Sequence, residues 1–177
     1  MRQAWLLFSR QGFEATTVDQ IAAAAGMSRR TFFRYFTGKD ELVLTRLVES
    51  GESVVEAFRA RPADEPVWTS LRRAFDEGVV QQEAHAALAR PLLVMLRTEP
   101  GVRATVVEWR RRWQDLLEPA VAERLPRRRA GSSPDVRAAA IVASALSCLE
   151  TAQGAWAEHP HSRLSTLLDQ AMTTVTA

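Results

Sequence analysis

The chain has 177 residues, 46% hydrophobic and 25% charged, with the single cysteine Cys148. This is ordinary globular composition; it excludes an internal disulfide and fits a reducing cytoplasm. The net charge of +2 is uneven: residues 1–39 hold six basic and two acidic side chains, residues 40–177 seventeen and nineteen, so the basic front end points to a polyanion site. The start "MRQAWLLFSR" lacks the long apolar run of a signal peptide. The most apolar stretch, 138–149, is shorter than the about 20 residues that a membrane span requires.

Apolar spacing is helical almost throughout, with no sustained alternation and no Asn-Gly or Asp-Gly turn, so an all-α fold of about nine helices is predicted. Ala4, Leu7 and Phe8 give a first helix over 2–11, stopped by Gly12. Thr17 and Gln20 form a capping box that starts a second helix. Ile21, Ala22 and Ala25 are its small apolar face, and Gly26 ends it. Ser28 is the N-cap of a short third helix reaching Phe36. A fourth helix over 39–59 follows, with Asp40 and Glu41 in the first turn, where negative charge suits the helix dipole.

Beyond the Pro-containing connection at 59–66, a fifth helix is expected over 67–82 and a sixth over 83–97, kinked by Pro91. A seventh over 102–125 carries Val106, Trp109, Trp113 and Ala120 at three-four spacing. Ser133 and Pro134, closing a loop over 126–134, provide an N-cap and first-turn proline for an eighth helix to about residue 157. A ninth covers 163–174.

The chemistry concentrates in the second and third helices. Two short helices joined by a tight glycine-containing turn form a helix-turn-helix, whose second member enters the DNA major groove by its N-terminal residues. Close approach needs small contact residues, which Ala22, Ala23 and Ala25 supply. Arg29 and Arg30 stand at the exposed start, where a guanidinium fork matches the guanine O6 and N7 acceptors. Thr17, Thr31, Tyr35 and Lys39 can meet phosphates. Phe32 and Phe36 share a face and are expected to seal the core, leaving Phe33 beside Arg30 and Arg34 as a contact for a sugar or thymine methyl.

With its flanks, the segment 8–43 resembles the DNA-binding domain of the TetR family of bacterial transcriptional regulators. The matching residues are Gly12-Phe13, Thr17, Ile21-Ala22, Ala25-Gly26-Met27-Ser28, Phe33-Arg34-Tyr35-Phe36 and Lys39. The resemblance implies that Arg29 and Arg30 read bases and that Thr31, Phe33, Tyr35 and Lys39 touch phosphates. The candidate DNA-binding set is thus Thr17, Ser28, Arg29, Arg30, Thr31, Phe33, Arg34, Tyr35 and Lys39. Two departures stand out. Phe33 replaces the more usual tyrosine and loses its hydroxyl. Many members also carry a basic arm and a longer first helix, so either the arm is absent here or the native start lies upstream of Met1.

A helix-turn-helix domain over 1–42 leaves 43–177 for an effector-binding and dimerisation domain. The eighth helix is apolar nearly all round, so it must be buried on more than one side. Ala140, Ser144, Ser147, Thr151 and Ala155 recur three or four apart along it and would admit a partner helix. With the ninth helix it would form a four-helix bundle across a two-fold axis, which the resemblance also implies. Such pairing would set two reading helices roughly 34–36 Å apart on one DNA face.

Phe75, Val79, Leu92, Met95, Trp109, Trp113, Leu146 and Glu150 are the candidate effector contacts. Glu150 is a lone carboxylate on an apolar helix, so it reaches a basic partner or faces a polar cavity. Arg110, Arg111 and Arg112 are placed on the solvent side. The style of the recognition helix resembles a subgroup of the family whose C-terminal domain binds acyl-CoA-like ligands.

Scattered histidines, no phosphate loop and no nucleophile motif argue against an enzyme, a cofactor or a metal. The expectation is a homodimeric repressor that releases an operator on binding a small hydrophobic or acyl-type effector, with the fourth helix as coupler. The competing expectation is a small-molecule-binding helical dimer whose DNA arm is vestigial.

Overall fold

A computed structural model of the protein describes residues 2–126 and 135–176. Its regular elements there are all helical: α1 Arg2–Gln11, α2 Val18–Ala24, α3 Arg29–Tyr35, α4 Lys39–Arg59, α5 Val67–Ala74, α6 Asp76–Ala84, α7 Ala86–Thr98, α8 Arg103–Arg124, α9 Arg137–Glu158 and α10 Leu164–Thr176, plus a 3-10 turn over Pro100–Val102. The all-α expectation holds, and the count is nine if α5 and α6 are one rod bent at Phe75. The predicted helix over 67–82 breaks there because α6 has little to hold it in line: it buries only Val79 and contains Gly78. The next helix consequently begins at Ala86, not 83, with Pro91 inside it.

The start predicted at Ser133 and Pro134 lies outside the described residues. The helix itself begins at Arg137, whose backbone N–H donates to the Asp135 carboxylate at 3.1 Å. At 22 residues α9 is long and apolar enough, by length and composition alone, to cross a bilayer, more than the 138–149 stretch suggested. Packing accounts for that composition, since nine of its residues are buried, among them Val142, Leu146, Leu149 and Trp156.

Two hydrophobic clusters organise the chain. The head cluster joins Ala4, Phe8, Phe13, Ile21, Ala22 and Phe32 to Leu42 and Val43 of α4, then to Met95 of α7 and Val102. The body cluster gathers Phe58, Leu71, Phe75, Trp113, Leu117, Leu146, Trp156 and Leu168, among others. Leu47 packs on both, so α4 is the shared beam.

One contact locks that beam to the body. The Trp113 indole N–H donates to the Leu47 carbonyl at 2.7 Å, and the ring lies against Gly51, where a Cβ would fall 2.6 Å from Nε1. Glycine inside a helix costs about 1 kcal/mol relative to alanine; here it admits an indole that no other residue could.

Candidate functional site

The reading head is built from caps. Thr17 closes both halves of its box: the Gln20 N–H donates to its hydroxyl at 3.2 Å, and its own N–H donates to Gln20 Oε1 at 2.9 Å. Gly26, at φ +68°, supports a paired turn in which its N–H reaches the Ala23 carbonyl and the Met27 N–H reaches that of Ala22. Ser28 then caps α3, accepting the Thr31 N–H at 3.1 Å. Ala22 is buried beside Ile21, but Ala23 and Ala25, expected at the helix contact, are exposed. Ala23 lies within α2 but off its buried face of Ile21 and Ala22, and Ala25 already belongs to the cap because α2 ends at Ala24.

Four of the nine DNA-binding candidates serve as a cap, an ion-pair member or a clamp within the chain. Thr17 and Ser28 are caps. Arg29 grips Asp19 with one nitrogen, at 2.9 and 3.1 Å, in a pair whose side chains are 64% and 62% exposed. Such a pair contributes at most about 1 kcal/mol. Lys39 departs furthest from the expected phosphate role. Its ammonium donates to the carbonyls of Phe13 (2.6 Å), Thr16 (3.2 Å) and Glu14 (3.3 Å) and sits 4.2 Å from the Phe13 ring centroid. Those three bonds use all its donors, so in this conformation Lys39 clamps the α1–α2 turn to the start of α4.

Arg30, Phe33, Arg34 and Tyr35 are exposed, whereas Thr31 is half-buried with its hydroxyl 2.9 Å from that of Ser28. Arg30, Thr31, Phe33 and Arg34 line one shallow surface hollow. Phe33 is 44% exposed and braced edge-on by the Phe32 ring. Tyr35 is 62% exposed, with the Arg34 guanidinium over its ring and donating to its hydroxyl at 3.1 Å.

The eight effector candidates do not gather in one pocket. Phe75, Val79 and Trp113 line a cavity of about 220 Å³ between α4, α5, α6, α8 and α9. Trp109 and Glu150 line another of about 340 Å³ between α7, α8 and α9, walled by the apolar Leu93, Leu96, Val106 and Val107 and by the charged Arg97, Glu99 and Arg103. Gln153 borders both, and its amide donates to Gln82 at 3.1 Å. Leu146 is buried in the body cluster and lines neither. Leu92 and Met95 belong to the head cluster instead, because α7 turns that face onto α1. Apolar spacing marks these residues as buried; it does not say which buried side chains border a void. Gln153, a polar side chain on an apolar helix like Glu150, is the one missed residue that the sequence could have flagged.

Glu150 meets both of its expected alternatives. One oxygen pairs with Arg110, which turns away from solvent and also donates to the Ser147 hydroxyl at 2.8 Å. Arg111 and Arg112 stay outside, paired with Glu108. Burial pushes the Glu150 carboxyl above its usual range, and the Arg110 charge pulls it partly back.

Along α9 and α10 runs an open groove of about 700 Å³, lined by Ser144, Ser147, Thr151, Ala155, Leu167 and Ala171 among others. Four of the five small residues expected on a pairing face are there; Ala140 is not. Cys148 also borders the groove, and burial pushes its thiol up.

Residues 1–45 match the family described as bacterial regulatory proteins, tetR family, and residues 65–177 match the MftR C-terminal domain. The chain belongs to the TetR family. It is 43% identical over 75 residues to the HTH-type transcriptional regulator TcmR of Streptomyces glaucescens, which covers 42% of this chain and 33% of that protein. It is 31% identical over 122 residues to the HTH-type transcriptional repressor AcnR of Corynebacterium diphtheriae, covering 68% and 58%. The chain therefore spans between a third and three fifths of these relatives' lengths. The fold is also that of Thermus thermophilus FadR, a TetR-family repressor solved in complex with lauroyl-CoA, at a TM-score of 0.64 and 22% identity over 99% of this chain and 90% of that one.

Proposed function

We propose that this chain is a cytoplasmic, DNA-binding transcriptional repressor that pairs through α9 and α10 and leaves its operator when a small apolar or acyl-type effector enters the body. The outer face of α3 carries the reading. Arg30 and Arg34 form no ion pair among the described residues and stand with Phe33 and Tyr35 on a capped, exposed helix. An unpaired fork of this kind suits guanine, worth about 1–3 kcal/mol of discrimination. Arg29 joins it at little cost, since its partner Asp19 is itself in solvent.

Pairing is supported by the groove, a continuous strip of small and apolar side chains on two adjacent helices. An acyl-type effector is supported by the mixed wall of the 340 Å³ cavity, where Leu93, Leu96 and Val106 stand beside Arg97 and Arg103, and by the FadR fold likeness. Coupling has two routes. The first is α4, which carries Leu42 and Val43 in the head core and Ser50 and Val54 on the smaller cavity. The second is the end of α7, where Leu96 lines the larger cavity while packing on the head core. An effector that fits only one arrangement of these walls shifts the population away from the DNA-competent state. By reciprocity, operator DNA then weakens effector binding by the same factor.

A salt titration of binding to random duplex tests this. A DNA reader loses affinity steeply as salt rises, because counterions are released on binding. Negligible binding at every salt concentration would instead favour a small-molecule-binding dimer with a vestigial arm. Selection of bound genomic fragments then supplies the operator.

A further inference from the structure

The two cavities of the body meet at one side chain. Gln153 of α9 borders both, and its amide nitrogen donates to Oε1 of Gln82 on α6 at 3.1 Å. The walls on either side continue one another. Trp113 borders the smaller cavity and Trp109, one turn away on α8 with ring centroids 5.4 Å apart, borders the larger. Leu149 and Glu150, neighbours on α9, divide in the same way.

Helix packing explains the space. Both α7 and α8 pack along α9 but touch each other little, so a gap remains between them. The cavities have apolar stretches, Val54, Phe75 and Val79 in one and Leu93, Leu96 and Val106 in the other. Exposed polar residues mark their outer ends: Arg46, Ser53 and Glu77 on the smaller, Arg97 and Arg103 on the larger. Small-molecule sites run from about 300 to 1,000 Å³. At about 220 Å³ the smaller cavity falls below that range, and at about 340 Å³ the larger lies at its lower edge; joined, they lie well inside it. What stands between them is a half-buried bond of two neutral amides. Breaking such a bond lowers affinity about two- to tenfold. Each methylene that enters apolar space raises it about fourfold, so a few methylenes beyond the bond offset its loss.

We propose that the two cavities are halves of one elongated effector site and that the Gln82–Gln153 bond is a crossbar within it, parted only by an apolar chain long enough to bury methylenes on the far side. This rests on the reading of the body as an effector domain and adds how that domain measures chain length. Gln82 and Gln153 are the specificity-determining pair.

Calorimetry with the even-numbered saturated carboxylates from octanoate to hexadecanoate, each below its micelle concentration, tests the proposal. In the parent chain affinity climbs with length, stalls over the members whose tip reaches the crossbar, and climbs again beyond it. In Gln153→Ala, and equally in Gln82→Ala on the other helix, the stall disappears, and the ratio of hexadecanoate to octanoate affinity rises about two- to tenfold. The double variant gains no more than either single one, because there is one bond to remove. Thermal melting checks that the variants fold. A merely structural role for the pair would shift every length alike and leave the ratio at its parent value. An unbroken climb in the parent, an unchanged ratio in both variants, or binding of no member would each overturn the assignment. Duplex binding of the same unliganded chain, read separately, tells whether the regulator reading fails with it.

Discussion

On α3, Arg30, Phe33, Arg34 and Tyr35 keep their polar and aromatic surfaces in water, available to whatever arrives. In the body, Trp109 and Glu150 also hold polar atoms without protein partners, but those atoms are sealed from solvent. Both regions carry polar groups the fold does not consume, at very different cost. An exposed guanidinium is satisfied by water and needs no compensation. A buried unmatched donor or acceptor costs about 1–3 kcal/mol, so the body tolerates few of them. The head can thus display several DNA-facing groups at once, while the body leaves few buried polar atoms unmatched, those of Trp109 and Glu150 among them.

The contrast fails first if the head's cations are not divided between clamp and reader. Replacing Lys39 with Met removes three bonds to carbonyls of the α1–α2 turn. It should lower stability by about 2–3 kcal/mol, measured by denaturant melting. The slope of log affinity against log salt should hold if Lys39 is a clamp; a decrease of about one would mark it as a phosphate contact. Arg30→Ala should cost about 1–3 kcal/mol on a selected operator and little on random duplex, leaving stability unchanged. Competition anisotropy on the two duplexes checks this, and equal losses on both would reduce Arg30 to a phosphate contact.

Gly51 probes how the body's tryptophans are held. Alanine gains about 1 kcal/mol of helix propensity but puts a Cβ against the Trp113 indole. Overpacking costs about 1–3 kcal/mol, so Gly51→Ala should be net destabilising, with a shift in tryptophan emission. A stabilised variant would mean that Trp113 is free to move.

The connection between α4 and α5, in the body, responds to acid. Glu65 accepts from Arg61 at 2.8 and 2.6 Å and from Ser70 at 2.6 Å, which hold its carboxyl at about 2. The folded value lies below the ordinary 4.5, so this stabilisation is present above that pH and is lost as pH falls from 4.5 towards 2. Glu65→Gln should flatten that limb of a melting-temperature profile. The smallest effect belongs to Asp19→Asn. It frees Arg29 and removes a negative charge from the DNA side, so random-duplex affinity should rise by no more than about 1 kcal/mol at low salt.

The head was the more legible region because its signals are local. A capping box, a left-handed glycine and an N-cap serine act within four or five residues, so their spacing reports their geometry directly, and Thr17, Gly26 and Ser28 all do what their positions imply. Even so, the same spacing could not reveal that Lys39 would turn back to carbonyls twenty-three to twenty-six residues earlier, or that Arg29 would find Asp19. The body was legible only as burial. Helical period picked out Leu71, Phe75, Val79, Trp109, Trp113 and Ala120, all buried, together with Trp68, Val106 and Leu116, which are half-buried.

The sequence by itself determined the helical class, the turn chemistry of the reading head and the set of side chains that must leave water, because each follows from backbone conformation and apolar period over a few neighbours. Only the tertiary structure decided that Met95 would complete the head rather than line a pocket, that Gly51 would seat an indole, and that Trp109 and Glu150 would border one cavity with a donor and an acceptor unmatched. A void and its unmatched atoms are properties of how separate helices fail to fill the space between them, and no single stretch of chain contains that information.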